Sequence, residues 1–129
     1  MNWAVLFHDA FAAEFEAFDA GLQDELLAHA LLLGQFGPTL GRPTVDGLKG
    51  SKHANMKELR FGWEAGVWRI AFAFDPQRQA ILLVGGDKGG VDQRRFYKRL
   101  ISVADERFDE HIATLAMKGK AGRHDQKTR

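Results

Sequence analysis

The segment VWRIAFAF at residues 67–74 decides the fold, because two kinds of side chain alternate along its whole length. In an extended strand, successive side chains point to opposite faces of the sheet. The bulky set consists of Trp68, Ile70, Phe72 and Phe74. The other set consists of Val67, Arg69, Ala71 and Ala73. We therefore predict a strand whose bulky face packs against helices and whose other face presents Arg69 beside small alanines.

Two further strands are predicted around this segment, each joined to it by a short turn. Met56–Phe61 precedes it across the turn Gly62–Gly66, and Ala80–Val84 follows it after the turn Asp75–Arg78, where Pro76 occupies a favourable turn position. Two short turns in succession indicate an antiparallel meander. Ala80–Val84 is apolar throughout, which is typical of a central strand covered on both faces.

Helical periodicity dominates the two ends of the chain. Trp3–His8 has the length of a strand. Ala10–Leu33 carries apolar residues at helical spacing, and Gly21 either divides this stretch into two helices or kinks it. Asp92–Met117 has the same helical period. A Gly- and Pro-rich loop at 34–55 joins the first helices to the meander. We predict an α+β fold in the order β-α-α-β-β-β-α, with a small antiparallel sheet and helices packed on one face.

The charge of this 129-residue chain is unevenly distributed. The length predicts one domain, at residues 1–117, followed by a basic, flexible tail at 118–129. Residues 1–34 contain six acids and no Lys or Arg, whereas the remainder carries a net charge of +7. This asymmetry indicates one acidic and one basic face, and a basic face is typical of a protein that binds a polyanion. The alternative is that an acidic helix simply solvates one side of the protein. With no cysteine, signal peptide or membrane span in the sequence, we expect a cytoplasmic protein.

Cationic side chains are expected to converge around Arg69. If Leu59 and Phe61 face the core, alternation places Arg60 on the same outer face as Arg69. Further cations lie nearby in the order of strands and loops: Lys49, Lys52, His53, Lys57 and Lys88. The alanines beside Arg69 would leave a hollow where an anionic ligand could lie. The alternative is that Arg69 forms a surface ion pair with Glu58 or Glu64.

The glycine-rich segment GGDKGG at residues 85–90 has neither of two nucleotide-binding patterns. A Walker loop requires Ser or Thr after its lysine, and a dinucleotide fingerprint requires a βαβ unit that the meander does not offer. We interpret the segment as a strand-to-helix connection in which Lys88 reaches the same anion as Arg69. The five histidines lack the spacing of metal ligands, so neither a metal nor a cofactor is predicted.

Five segments together carry a family resemblance. They are LKGSKHANMKELRF at 48–61, VWRIAFAFDP at 67–76, LLVGGDK at 82–88, FYKRLI at 96–101 and ADERF at 104–108. Over roughly residues 3–115 the chain resembles the phage Gp49-like, HigB-type branch of the RelE/ParE toxin superfamily. The resemblance implies the same element order and a bacterial type II toxin that cuts mRNA in the ribosomal A site. It also implies a cognate HigA-like antitoxin, often with a helix-turn-helix domain.

The resemblance also implies a chemistry that needs no metal. The ribose 2′-OH attacks the adjacent phosphorus, and fixed cations stabilise the charge that develops on the phosphate. By this resemblance Arg69 would clamp the scissile phosphate, His53 or Lys57 would be the base, and Tyr97 would be the acid or would stack on a base. The remaining cations, Arg60, Lys88, Lys52 and Lys49, would bind the RNA backbone.

A second class of function remains open from the sequence. The ParE branch shares the fold but inhibits DNA gyrase and has no RNase site, so a gyrase inhibitor or a non-catalytic, phage-derived interaction module is the alternative. An exposed basic cluster on the sheet favours the RNase, whereas buried, ion-paired Arg60 and Arg69 favour the inhibitor.

Overall fold

In the computed structural model, which describes the backbone of residues 2–127 and the side chains of residues 2–119, helices flank a sheet. The elements are β1 (Ala4–Phe7), α1 (Asp9–Glu16), α2 (Ala20–Phe36), β2 (Val45–Gly47), β3 (Lys57–Trp63), β4 (Gly66–Phe74), β5 (Gln79–Asp87) and α3 (Gln93–Lys127). The predicted α+β class and the order β-α-α-β-β-β-α are confirmed, with the short β2 added. Three residues within a glycine-rich loop carry too few alternations to reveal a strand in the sequence.

The five strands form one sheet in the order β1-β5-β4-β3-β2. The antiparallel meander of β3, β4 and β5 is confirmed. However, β1 runs parallel to β5, so the sheet is mixed, and the prediction of an antiparallel sheet is wrong at this edge. No hairpin constrains the direction of β1, because α1 and α2 lie between it and the meander.

The bulky face of the meander packs against α1 and α2, as the alternation predicted. Phe11 of α1 and Leu22, Leu26 and Leu33 of α2 are buried there. They contact a layer of strand residues on the sheet, namely Leu59, Phe61, Ile70, Phe72 and Leu82.

The opposite face is covered as well, so the prediction of helices on one face only is wrong. Ala71 and Ala73 are fully buried against Leu100, Ala104 and Phe108 of α3. The two methyl side chains allow the helix to lie close to the sheet, and they do not leave the hollow that the sequence suggested.

Helix α3 continues to Lys127, beyond the end that the sequence predicted at Met117. Residues 118–127, which the sequence assigned to a separate basic tail, therefore continue this helix. Residues 128–129 of the predicted tail lie outside the described residues, as do the side chains beyond Gly119. The boundary of the domain at 117 stays a prediction.

Asp75 joins the β4–β5 turn to α3. Its buried carboxylate accepts hydrogen bonds from the backbone amides of Gln77 and Gln79 and from the Gln79 side chain, at 2.8–3.0 Å. His111 Nε2 of α3 lies 2.7 Å from the second oxygen. Burial acts to raise the pKa of Asp75, but these hydrogen bonds outweigh it and hold the pKa below its ordinary value.

We expect Asp75→Ala to lower the free energy of unfolding at pH 7 by about 3 kcal/mol, because buried donors lose their acceptor. The pKa is lower in the folded state, so this contribution is complete above the unfolded-state pKa of about 4. It is lost as the pH falls through the folded-state pKa. Urea unfolding at pH 7 and pH 3 measures both quantities, with Glu16→Ala as a surface control. A stability difference that is the same at both pH values contradicts this role for Asp75.

Candidate active site

Arg69 of β4 and Arg60 of β3 lie opposite each other in the strand register, which confirms that they share one face. The face is the one that α3 covers, and Arg69 is mostly buried there, with 15% of its side chain exposed. The Nε atoms of both arginines are buried and have no hydrogen-bond partner among the described residues. Like charges placed directly opposite each other destabilise a sheet. An anion bound between them would relieve that repulsion.

Glu58 is the nearest carboxylate to this arginine pair. It lies two residues before Arg60 on β3, is 5% exposed, and places Oε1 3.9 Å from Nε of Arg69. Burial raises the pKa of Glu58 above its ordinary value, against the opposing influence of a Tyr97 hydrogen bond and the two arginine charges. A carboxyl group with a raised pKa is poised to exchange a proton nearer to neutral pH.

Tyr97, in the first turns of α3, connects Glu58 to Arg69. Its phenol donates a hydrogen bond of 2.9 Å to Oε1 of Glu58. Burial and that hydrogen bond raise the pKa of Tyr97 above its ordinary value, so the phenol keeps its proton at neutral pH. The guanidinium of Arg69 lies 5.7 Å from the centre of the Tyr97 ring and 5.8 Å from that of Phe96, within cation–π range of both.

Gly86 of β5 gives Phe96 its position against the sheet. Gly86 is the register partner of Arg69, and a Cβ at this residue would come within 3.2 Å of the Phe96 ring. The glycine therefore lets an aromatic side chain lie beside the Arg69 guanidinium. The strand β5 includes Gly85 and Gly86, so the connection that the sequence placed at 85–90 begins only after Asp87.

Arg60 extends the basic surface toward the sheet edge. Its guanidinium lies 4.0 Å from Asp46 of β2, and Arg42 lies 3.2 Å from the other oxygen of Asp46. A hydrogen bond from the Gly47 amide, followed by the Arg42 interaction, lowers the pKa of Asp46. The side chain of Arg60 is 37% exposed, so a polyanion can approach it from solvent.

Lys88 and Arg69 line a common open depression, which we call the hairpin depression. Its lining consists of Asp19, Leu22, residues 63–69 and residues 87–89, and its volume is about 750 Å³. The structure therefore brings Lys88 to the same surface as Arg69.

Lys49 lies beside Tyr97. With Arg94 and Lys98 it lines a second depression of about 580 Å³, which Tyr97 also borders. Basic side chains are thus present next to the Tyr97 ring.

Three predicted site residues are not brought to Arg69. Lys57 is the register partner of Phe72 and therefore lies on the other face of the sheet. His53 contacts Asp109 at 2.8 Å, and Lys52 pairs with the same carboxylate. His53 also packs on Phe108, which lies about 16 Å along α3 from Tyr97 at the usual helical rise. His53 and Lys52 thus anchor the loop before β3 to α3.

Sequence reasoning considered Glu58 only as an ion-pair partner of Arg69 and gave Phe96 no role beyond the core. The signal for Glu58 was present, because the alternation that places Arg60 on the outer face places Glu58 there too. The position of Phe96 depends on the packing of α3 across Gly86, which no local pattern reveals.

The chain is similar to proteins described as Gp49-like and to proteins described as HigB toxins. The family model described as phage-derived Gp49-like protein matches residues 13–109. The putative toxin HigB3 of Mycobacterium tuberculosis is 54% identical over 84 residues, which cover 64% of this chain and 70% of that protein. The putative toxin HigB2 of the same organism is 42% identical over 106 residues, 81% of this chain and 52% of that protein. The chain thus spans about half the length of HigB2.

A solved structure of a mutant E. coli toxin RelE in the free state has the same fold. It superposes with a TM-score of 0.57 at 11% identity, covering 83% of this chain and 98% of RelE. Within the part of the chain that the structure describes, no three His, Asp or Glu side chains are grouped as metal ligands would be. In the same part, no helix combines the length and apolar character needed to cross a membrane.

Proposed function

The chain belongs to the phage-derived Gp49-like family, within the HigB-type branch of the RelE toxin superfamily, and on this premise we propose that it is a ribosome-dependent mRNA endoribonuclease. The observation that carries the proposal is the Glu58–Tyr97 hydrogen bond beside Arg69. It combines a proton acceptor, a proton donor and a fixed cation, which are the three groups that RNA cleavage requires.

In the proposed reaction, the ribose 2′-oxygen forms a bond to phosphorus while the bond from phosphorus to the 5′-oxygen breaks. The products are a 2′,3′-cyclic phosphate and a 5′-hydroxyl. Glu58 accepts the proton of the 2′-OH, and Tyr97 supplies a proton to the departing 5′-oxygen. Arg69 stabilises the charge that accumulates on the phosphate, and so provides by hydrogen bonding what a metal provides in other nucleases. Arg60 and Lys88 bind neighbouring phosphates.

The raised pKa of Glu58 suits this role. A base accepts protons more readily as its pKa approaches the working pH, and burial moves Glu58 in that direction. His53 and Lys57, which the resemblance suggested as bases, stand too far from Arg69 or on the wrong face to serve the same phosphate. Glu58 therefore replaces them as the base in this proposal.

A binding inhibitor of the ParE type is the second candidate, and the burial of Arg69 favours it. Arg69 is 15% exposed and lies near Glu58, and its NH1 donates to the Val67 carbonyl at 3.1 Å. However, the Glu58 contact is long at 3.9 Å and leaves Nε of Arg69 without a hydrogen bond among the described residues. Such a cation retains the capacity to bind a phosphate, which favours the RNase.

The partners follow from the same premise. As a toxin, the chain is expected to have a cognate antitoxin of the HigA-like, helix-turn-helix kind, and its targets would be mRNA and the bacterial ribosome in the cytoplasm. The basic surface of Arg60, Lys88, Lys49 and Lys98 supports an RNA partner, and binding to RNA should weaken as salt is added.

The test is inducible expression in bacteria with mapping of new mRNA 5′ ends. We expect growth arrest accompanied by new ends within translated codons, and no such ends when ribosomes are kept from the message by mutating its start codon. Growth arrest with intact mRNA and inhibited gyrase would support the binding inhibitor. New ends on untranslated RNA would contradict dependence on the ribosome.

A further inference from the structure

The hairpin depression brings together three kinds of groups that recognise nucleotides. Trp63 and Trp68 provide indole rings on the side of α1 and α2, and Lys88 provides a cation. Arg69 borders the depression from the α3 side of β4. Three carboxylates complete the lining, from Asp19, Glu64 and Asp87. The volume of about 750 Å³ is within the range of small-ligand sites. The depression also adjoins the proposed cleavage site, since Arg69 belongs to both.

Both indoles pack with one side against the hydrophobic core. Trp68 packs edge-on against Phe18, with ring centres 5.1 Å apart. Trp63 lies over Gly21 of α2, where a Cβ would approach the indole to 2.5 Å. Each indole is only partly buried. Aromatic rings that the core holds in place, with part of their surface open, suit the stacking of an unpaired base.

Asp87 is held at the mouth of the depression. Its Oδ1 accepts a hydrogen bond of 3.0 Å from the Gly89 amide. Its Oδ2 lies against Gly66, where a Cβ would come within 2.8 Å of it, so the glycine is needed for the carboxylate to lie there. A carboxylate accepts hydrogen bonds and cannot donate them when ionised. It therefore attracts the exocyclic amino groups of cytosine, adenine and guanine. Uracil has no amino group, and its one donor, N3–H, lies between two carbonyl oxygens that repel a carboxylate.

We propose that the hairpin depression binds one base of the RNA next to the scissile phosphate, and that it selects a base with an exocyclic amino group. The inference rests on the proposed RNase function and adds a base preference to it. Arg69 and Lys88 hold the phosphates on either side of this nucleotide, the indoles stack on the base, and Asp87, supported by Glu64, accepts from its amino group.

Binding to short oligonucleotides tests the base preference without any cleavage. The probes are trinucleotides of sequence UXU, with X each of the four bases and 2′-deoxy sugars that cannot be cut. Quenching of tryptophan fluorescence reports binding, because two of the three tryptophans line the depression. We expect an amino-bearing X to bind at least about tenfold more tightly than UUU, the effect of one charged hydrogen bond. Asp87→Asn should abolish most of this difference.

Glu16→Gln is the matched control, since this exposed acid at the end of α1 is not part of the lining of the depression. Thermal melting verifies that Asp87→Asn is folded, and asparagine can still accept from Gly89. Equal or absent binding of all four probes overturns the inference, as does a preference that survives both Asp87→Asn and Glu64→Gln. Cleavage of mRNA in cells without a base preference would remove this inference and leave the proposed function. A base preference in vitro without cleavage of mRNA in cells would leave the base-binding site and remove the proposed function.

Discussion

Arg69→Ala is expected to reduce the rate of RNA cleavage by at least about a hundredfold while the protein remains folded. The guanidinium is the cation nearest to the Glu58–Tyr97 pair, so it is the group that can meet charge developing on the scissile phosphate. Its removal also leaves the core intact, because the apolar layers on both faces of the sheet do not include it. Arg69→Lys should recover only part of the activity, since an ammonium cannot form the paired hydrogen bonds of a guanidinium.

Two control variants distinguish a loss of catalysis from the loss of a positive charge and from a loss of stability. Arg78→Ala removes an arginine at the opposite end of β4, where it stacks on Trp3, and should leave cleavage nearly unchanged. His53→Gln removes the side chain that the family resemblance proposed as a base. Because His53 contacts Asp109 and Phe108, this change should lower the melting temperature and leave cleavage within a few-fold of wild type.

The measurements are 5′-end mapping after induction and a denaturant titration of each purified variant. If Arg69→Ala loses its cooperative unfolding transition, its loss of cleavage is due to unfolding. The milder variant Arg69→Lys then tests whether Arg69 binds the scissile phosphate. If Arg69→Ala still cuts mRNA at the wild-type rate, Arg69 does not bind the scissile phosphate. If it arrests growth without cutting, the binding-inhibitor alternative gains support.

The sequence predicted the part of this site that depends on strand alternation. The segment VWRIAFAF was sufficient to assign the bulky core face, and the alternation of Leu59 and Phe61 in the preceding strand placed Arg60 on the same face as Arg69. The same alternation placed Lys57 opposite to them, since it shares the parity of Leu59 and Phe61, and grouping it with Arg69 by nearness in the chain was an error. A shift of one residue in a strand changes the face of a side chain.

What the sequence did not predict depends on contacts between distant segments. Ala71 and Ala73 are consistent with either a ligand hollow or close helix packing, and only the position of α3 distinguishes the two. Likewise, His53 lies just before an arginine-bearing strand, yet its side chain is directed to Asp109 on α3. The pairing of Tyr97 with Glu58 spans 39 positions of sequence and sets the chemistry of both groups.

Glu58→Gln is the second substitution with a large expected effect, and it should lower activity while raising stability. Loss of the base should reduce cleavage by about a hundredfold or more. The amide oxygen of glutamine can still accept the Tyr97 hydrogen bond, so the local packing is retained. Because burial raises the pKa of Glu58, the ionised carboxylate destabilises the fold at neutral pH, and its replacement should add about 0.5–1 kcal/mol to the free energy of unfolding.

The pKa shift of Glu58 also predicts how the cleavage rate and the free energy of unfolding change with pH. The folded state holds the Glu58 proton more tightly than the unfolded state, whose pKa is near the ordinary 4.5. Stability from this residue is therefore greatest at low pH and declines as the pH rises through the interval between the two pKa values. Wild-type cleavage should increase with pH over the same interval, as the base loses its proton, and Glu58→Gln should show neither change. Urea titrations and pH–rate profiles of wild type and Glu58→Gln measure these two pH dependences.

The stability of Glu58→Gln at pH 7 decides the role of the carboxylate. If Glu58→Gln is inactive and less stable than wild type, Glu58 serves mainly to neutralise Arg69. If Glu58→Gln is inactive and more stable than wild type, Glu58 is a buried carboxylate retained for proton transfer.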